Sequence, residues 1–212
     1  MLKWVAVHSH DNKLTLIFDY MDHLSLTKII ENFNDKYSED FCRFTLFNVA
    51  KCLSKMHIKN VLHRQIMPEN VFSSSTGDIK LADLGVRLAP IYAPEIVKGE
   101  PFTKASDVWM FGCLAYALAT GTIPYFAQSE YKILSAIVAE GQQPEAIPSR
   151  WSTCFRDFIQ SCFEKDPERR PTIDQLLEHD FLTELAANDS KLQACKAVWQ
   201  HDYESYKSDS MN

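Results

Sequence analysis

Between Val108 and Ser129 the chain runs 22 residues without an Asp, Glu, Lys or Arg. A stretch of that kind either crosses a bilayer, which takes about 20 apolar residues, or is wrapped on all sides by protein. Gly112, Gly121 and Pro124 interrupt it, and the part beyond Gly121 has the composition of a loop. The residues therefore predict a helix from Ser106 to about Thr120, buried all round, with a single membrane span over 108–127 as the lesser alternative. A helix apolar on every face needs the rest of the chain around it. With 212 residues, 46% of them hydrophobic and 24% charged, there is enough chain for one domain with a sizeable core.

The formal net charge of −6 argues against a nucleic-acid or anionic-membrane surface, which would need clustered Lys and Arg. The cysteines (Cys42, Cys52, Cys113, Cys154, Cys162 and Cys195) form no C-x-x-C pair. Most fall inside apolar helical patterns and read as small buried hydrophobes of a reduced protein. Met1-Leu2-Lys3-Trp4 opens without the long apolar core of a signal peptide. The expectation is a cytoplasmic or nuclear protein, and Asn188-Asp189-Ser190 is a glycosylation sequon in form only.

Along the chain, residues 2–7 and 14–20 are apolar runs joined by His8-Ser9-His10-Asp11-Asn12-Lys13, a hairpin signal. Leu24 to Asn32 has the spacing of a short helix. Ser38, followed by Glu39 and Asp40, is an oxygen cap with acids at the positive end of the dipole. It opens a long helix to about Lys59 that buries Phe41, Phe44, Val49, Leu53 and Met56. Further helices are expected over Ser129–Glu140 and Trp151–Phe163. Thr172-Ile173-Asp174-Gln175 is a capping box opening a short helix to about His179. Beyond Leu182 the composition turns polar, with one more helix read over Lys191–Tyr206.

Two strand ends lie between the long helix and the charge-free run. Val61-Leu62-His63-Arg64-Gln65-Ile66-Met67-Pro68-Glu69-Asn70-Val71-Phe72 is an apolar entry, a polar hairpin and a second apolar pair. A strand from Ile79 to Ala82 then ends in Asp83-Leu84-Gly85. Asn70 and Asp83 at neighbouring strand ends suit Mg²⁺, which takes oxygen ligands and few carboxylates; equally, they suit two loop residues that satisfy backbone groups. The first stretch resembles H-R-D-x-x-x-x-N of the eukaryotic protein kinases, the second resembles D-F-G, and Ala93-Pro94-Glu95 resembles A-P-E. Ser106-Asp107-Val108-Trp109-Met110-Phe111-Gly112 is similar to the start of that family's central helix, and Asp166-Pro167-Glu168-Arg169-Arg170-Pro171 to D-P-x-x-R-P. The residues from Glu164 to Leu182 look most like the sterile-twenty-like and mitogen-activated kinase-kinase-kinase branches of serine/threonine kinases.

The resemblance covers roughly residues 2–183. It implies an α+β, protein-kinase-like fold: a mainly helical large lobe (22–183), the last two strands and hinge of the small lobe (1–21), and a polar tail (184–212). It implies an Arg170–Glu95 ion pair, and an Asp107 that caps its helix and holds the His63-Arg64 backbone. It casts His63 as a structural residue and Arg64 as either a local hydrogen bonder or the partner of a modified activation loop. Phe18, Asp19, Met21, Phe72 and Ala82 would line an ATP site with Asn70 and Asp83 on the metal, nucleotide binding being weak or absent.

The departures from the family pattern fall on the chemistry. Gln65 stands where the catalytic Asp would be and cannot accept a proton, a loss worth about 10²–10⁴ in rate. Met67 stands where a Lys would neutralise the transferring phosphate. The segment from Val86 to Tyr92 contains no Ser or Thr, so the threonine that bridges those two groups in the family is missing as well. No G-x-G-x-x-G occurs, and only 18 residues precede Asp19, which leaves no room for the strand Lys and helix Glu. The expected function is a pseudokinase-type regulator or scaffold. A protein partner or dimer mate would cover the exposed cleft side around Phe18, Phe72 and Ala82. A truncated or divergent serine/threonine kinase is the alternative.

Overall fold

In the computed structural model, the described residues are 1–11, 13–21, 25–33, 37–74, 76–82, 92–124, 130–138, 144–186 and 188–210. The order is β1 (Trp4–His10), β2 (Lys13–Phe18), α1 (Leu26–Phe33), α2 (Glu39–Ile58), a 3-10 turn (Pro68–Asn70), β3 (Val71–Ser73) and β4 (Ile79–Leu81). Then follow α3 (Pro94–Val97), α4 (Lys104–Thr120), α5 (Glu130–Val138), α6 (Thr153–Cys162), α7 (Ile173–Leu177), α8 (Asp180–Ala186) and α9 (Asp189–Ser210).

The charge-free run becomes α4, and every residue from Ser106 to Ala119 is buried. Among the described residues no helix is long and apolar enough to cross a membrane; the helix stops at Gly121, a left-handed cap with φ 79° that a side chain would disfavour. A buried helix end must find partners for its last carbonyls. Gly121 N–H donates to Ala117 O at 2.9 Å, Tyr37 Oη to Leu118 O at 2.5 Å and Trp151 Nε1 to Ala119 O at 2.7 Å. Gly112 is required by packing: a Cβ there would lie 2.5 Å from Cys162 Cβ on α6. The start of α4 corrects the expectation. Its N-cap is Thr103, whose N–H donates to Ser106 Oγ at 3.1 Å, so Asp107 sits a turn inside the helix and is not its cap.

α2 begins at its Ser38 cap, Oγ accepting from Phe41 N at 3.1 Å. It buries the expected Phe41, Phe44, Val49, Leu53 and Met56 together with Cys42, Thr45, Leu46, Phe47, Ala50 and His57. It is covered on several sides because α4, α7, α8, β4 and α9 all pack on it. The last of these neighbours comes from the segment read as a polar tail. In α9, Cys195 and Trp199 are buried; the Trp199 ring stacks on Phe41 at 5.7 Å and reaches Phe44 at 6.5 Å.

The strands form two antiparallel pairs, β1–β2 and β3–β4. Leu2 N–H donates to Leu81 O at 2.7 Å, which ties the first ribbon to the second beside the helices.

Candidate functional site

The loop after α2 turns back through Asn60 (φ 54°) and Arg64 (φ 67°). A non-glycine residue in the left-handed region costs about 1–2 kcal/mol, so something must hold Arg64 there. The holder is Asp107, wholly buried on α4. Its Oδ2 accepts from His63 N and its Oδ1 from Arg64 N, both at 2.8 Å. His57, at the end of α2, places Nε2 at 2.9 Å from the same carboxylate. Hydrogen bonds to an ionised acceptor are the strong class, and three converge on this one. Asp107 thus locks the backbone that carries Gln65.

The next residues are fixed in turn. Gln65 N–H donates to His63 Nδ1 at 3.3 Å. Asn70, on the 3-10 turn, donates from Nδ2 to Gln65 O at 2.9 Å, and its own carbonyl accepts from Ala82 N at 2.8 Å. The Asn70 amide is thereby oriented, with Oδ1 left as a neutral oxygen of the type Mg²⁺ accepts. Asp83, which would complete that pair, lies outside the described residues, as do Leu84, Gly85 and the segment to Ile91.

Gln65 is buried, and its amide side chain titrates nowhere in the working pH range. Met67 is packed against the core, in the wall of a cavity of about 300 Å³ with Thr27, Ile30, Pro68, Ala117 and Ile123. Met67 thus faces a mainly apolar surface, with Glu31 and Glu69 also in the lining. Arg64 is exposed, its guanidinium 5.8 Å from the Phe102 ring centre, and Tyr92 meets the same ring edge-on at 5.5 Å.

Among the residues expected to line a nucleotide, Phe18 is 40% exposed at the end of β2. Met21 and Phe72 are half-buried, and Asp19 faces Lys80 Nζ at 3.6 Å. Ala82, expected on an exposed roof, is instead buried, and its N–H donates to Asn70 O.

Behind the loop, Arg170 clamps Glu95 on α3 through Nη1–Oε1 at 2.9 Å and Nη2–Oε2 at 3.0 Å. Ser106 Oγ donates to Glu95 at 2.9 Å. The guanidinium also donates to Glu164 O at 2.8 Å and Ala105 O at 2.7 Å, over the face of Trp109. Burial would raise the Glu95 carboxyl, but the hydrogen bonds and charge of Arg170, with Ser106, outweigh it and hold the group below the usual carboxylate range. The expected pair is therefore present and fully bonded.

His57 was not singled out from the sequence. It follows Met56 and sits four residues after Leu53, on the apolar face of α2, and a His there needs a buried partner. Ser106 was likewise read as a helix start and not as a donor to Glu95.

A helical lobe built on a buried central helix, with a clamped loop and a buried Arg–Glu pair beneath it, is the large lobe of a protein kinase. The chain belongs to the protein tyrosine and serine/threonine kinase family, whose model matches residues 1–179. It is 31% identical over 187 residues to serine/threonine-protein kinase 36 of Pongo abelii, covering 81% of this chain and 14% of that protein. It is also 31% identical to serine/threonine-protein kinase CLA4 of Candida albicans over 81% of this chain and 19% of the relative. To human serine/threonine-protein kinase 10 it is 26% identical over 89% of this chain and 22% of the relative. The chain thus spans less than a quarter of the length of each of these proteins.

Proposed function

We propose that this chain is a kinase-family domain in which phosphotransfer is lost or strongly impaired, and that it works by binding, as a regulatory or scaffolding module in phosphorylation signalling. The observation that carries the reading is the pair Gln65 and Met67: a group without an ionisable proton at the base position, and a core-packed thioether at the position of the phosphate cation. Asp107 and Asn70 hold the loop through its backbone and His57 acts through Asp107, so none of these holding contacts is made to the side chain of Gln65 or Met67. A scaffold needs that architecture and does not need the two charges. In family members that bind it, Mg²⁺-ATP supplies the phosphoryl group. Here Asn70 is the described residue suited to the metal, with Asp83 its partner in the sequence.

The test pairs two readouts on the 212-residue chain. The first is the melting temperature with and without millimolar Mg²⁺-ATP; a ligand that binds the folded state alone stabilises it by RT ln(1 + [L]/Kd), about 2.7 kcal/mol at a hundredfold excess. The second is transfer of labelled phosphate to a generic serine/threonine substrate. The expected result is no transfer above background, in the wild-type chain and in Asp83→Ala alike. Transfer by the wild-type chain that disappears in Asp83→Ala would overturn the reading and favour a divergent serine/threonine kinase that uses Gln65 only to orient the acceptor hydroxyl.

A further inference from the structure

Ile58, in the last turn of α2, is 73% exposed, more than any other large aliphatic side chain among the described residues. A single exposed aliphatic is ordinary on a protein surface; the surroundings of this one are not. Ile58 lines a cavity of about 370 Å³ that lies wholly within the helical lobe, some ten times the share of one water molecule in the liquid, about 30 Å³. One wall comes from the end of α2 and the start of α4 and carries Ile58, Lys104 and Val108. The other comes from the segment before α7 and its first turn, and carries Glu168, Pro171 and Asp174. A protruding apolar side chain thus stands directly beside a recess able to take one.

Charge is segregated between the two walls. Lys104 is exposed on the first, with Lys59 next to Ile58 on the same side, and Glu168 and Asp174 are exposed on the second. Among the described residues Lys104, Glu168 and Asp174 have no ion-pair partner. Arg170, the other cation in the lining, is taken up by Glu95, and Arg169 lies outside the lining, 3.6 Å from Glu164. An acidic partner seated here would meet like charge at Glu168 and Asp174, and a basic one would meet it at Lys104; like-charge juxtaposition is what rejects a partner.

We propose that the occupant is a second copy of this chain, the two copies related by a two-fold axis that passes between Ile58 and the cavity. A two-fold interface uses the same patch on both subunits and must be self-complementary. A knob beside a hole meets that requirement twice over, because Ile58 of each copy enters the cavity of the other. The same operation sets the first wall of one copy against the second wall of its mate. Lys104 then faces Glu168 and Asp174 at both ends, and the charges that reject an acidic or a basic partner become attractive. The interface also abuts the residue that steadies the Gln65 loop: His57 precedes Ile58, lines the same cavity and places Nε2 at 2.9 Å from Asp107. This inference goes beyond the proposed function and stands whether or not phosphotransfer is lost.

A patch built around one side chain and one recess per copy buries less than the roughly 1,200 Å² of a standard interface, so the association is weak and reversible. Sedimentation equilibrium of the 212-residue chain from about 1 to about 200 μM is expected to show a monomer–dimer equilibrium that loosens with salt. Ile58→Ser removes the knob at an exposed position where the fold itself loses little, and is expected to weaken association at least about tenfold. Lys104→Glu sets like charges opposite at both ends, and so does Glu168→Lys; each alone is expected to have an effect of about the same size. An equimolar mixture of those two charge variants is expected to dimerise again, because the mixed pair restores opposite charges at both ends. A misfolded variant would not be rescued by mixing. Three results would each overturn the inference: a wild-type chain that stays monomeric throughout, a dimer that survives Ile58→Ser undiminished, or a mixture that fails to regain association.

Discussion

At Glu95 two opposing effects act on one carboxylate, and the magnitudes decide the outcome. Burial disfavours the charge, but a bidentate Arg170 and a Ser106 hydroxyl favour it more, and the carboxyl is held below its usual range. A depressed carboxylate contributes stability that is complete above the unfolded value, about 4.3 for Glu, and is lost as the pH falls through the folded value. Thermal melts should therefore show a decline below about pH 4 that is shallower in Glu95→Gln. Arg170→Leu strands the buried carboxylate at neutral pH. Its cost is expected to be about 3–5 kcal/mol, read as a lower denaturation midpoint. The pair itself was legible from two short motifs in the sequence. The third arm of the Asp107 cluster was not, because His57 is one polar residue on an apolar helical face and its partner is 50 residues away.

Among the elements, α4 was the easiest to read and α9 the hardest, for one reason. A helix without charge advertises complete burial, whereas α9 hides a narrow stripe among charged neighbours. Leu192, Cys195 and Trp199 follow the three- and four-residue spacing of a single buried line, and the polar residues around them gave the segment the look of a tail. Trp199 is fully buried against Phe41 and Phe44. Trp199→Ala should cost about 3–5 kcal/mol, whereas truncating exposed His201 in the same helix should cost less than about 0.5 kcal/mol. Equal effects in chemical denaturation would mean that α9 does not pack on α2 in solution.

For the molecule as a whole, stability is unevenly distributed. α4 lies inside the core with the carbonyls of Ala117, Leu118 and Ala119 near its end engaged, while the β1–β2 ribbon is exposed on both faces. Native-state hydrogen exchange should rank the amides accordingly: those of α4 opening only with global unfolding, those of β1 and β2 opening locally and orders of magnitude sooner. The fold class and the identity of the altered loop residues were readable because they rest on short-range motifs and on charge pattern. The tertiary partners were not, since which helix closes over Phe41, or where Met67 points, depends on residues far apart in the chain. Gln65 and Met67 show the difference: the sequence names the missing charges, but only the packing reveals that Met67 forms part of an apolar wall.

Some 158 residues of chain separate Phe41 from the Trp199 that covers it. At synthesis rates of about 5–20 residues per second, that gap lasts roughly 10–30 s. Throughout it a nascent chain holds an aromatic surface on α2 without its lid. α2 and the helix that covers it are thus made far apart in time, and the packing of Phe41 and Phe44 closes only once α9 has been made.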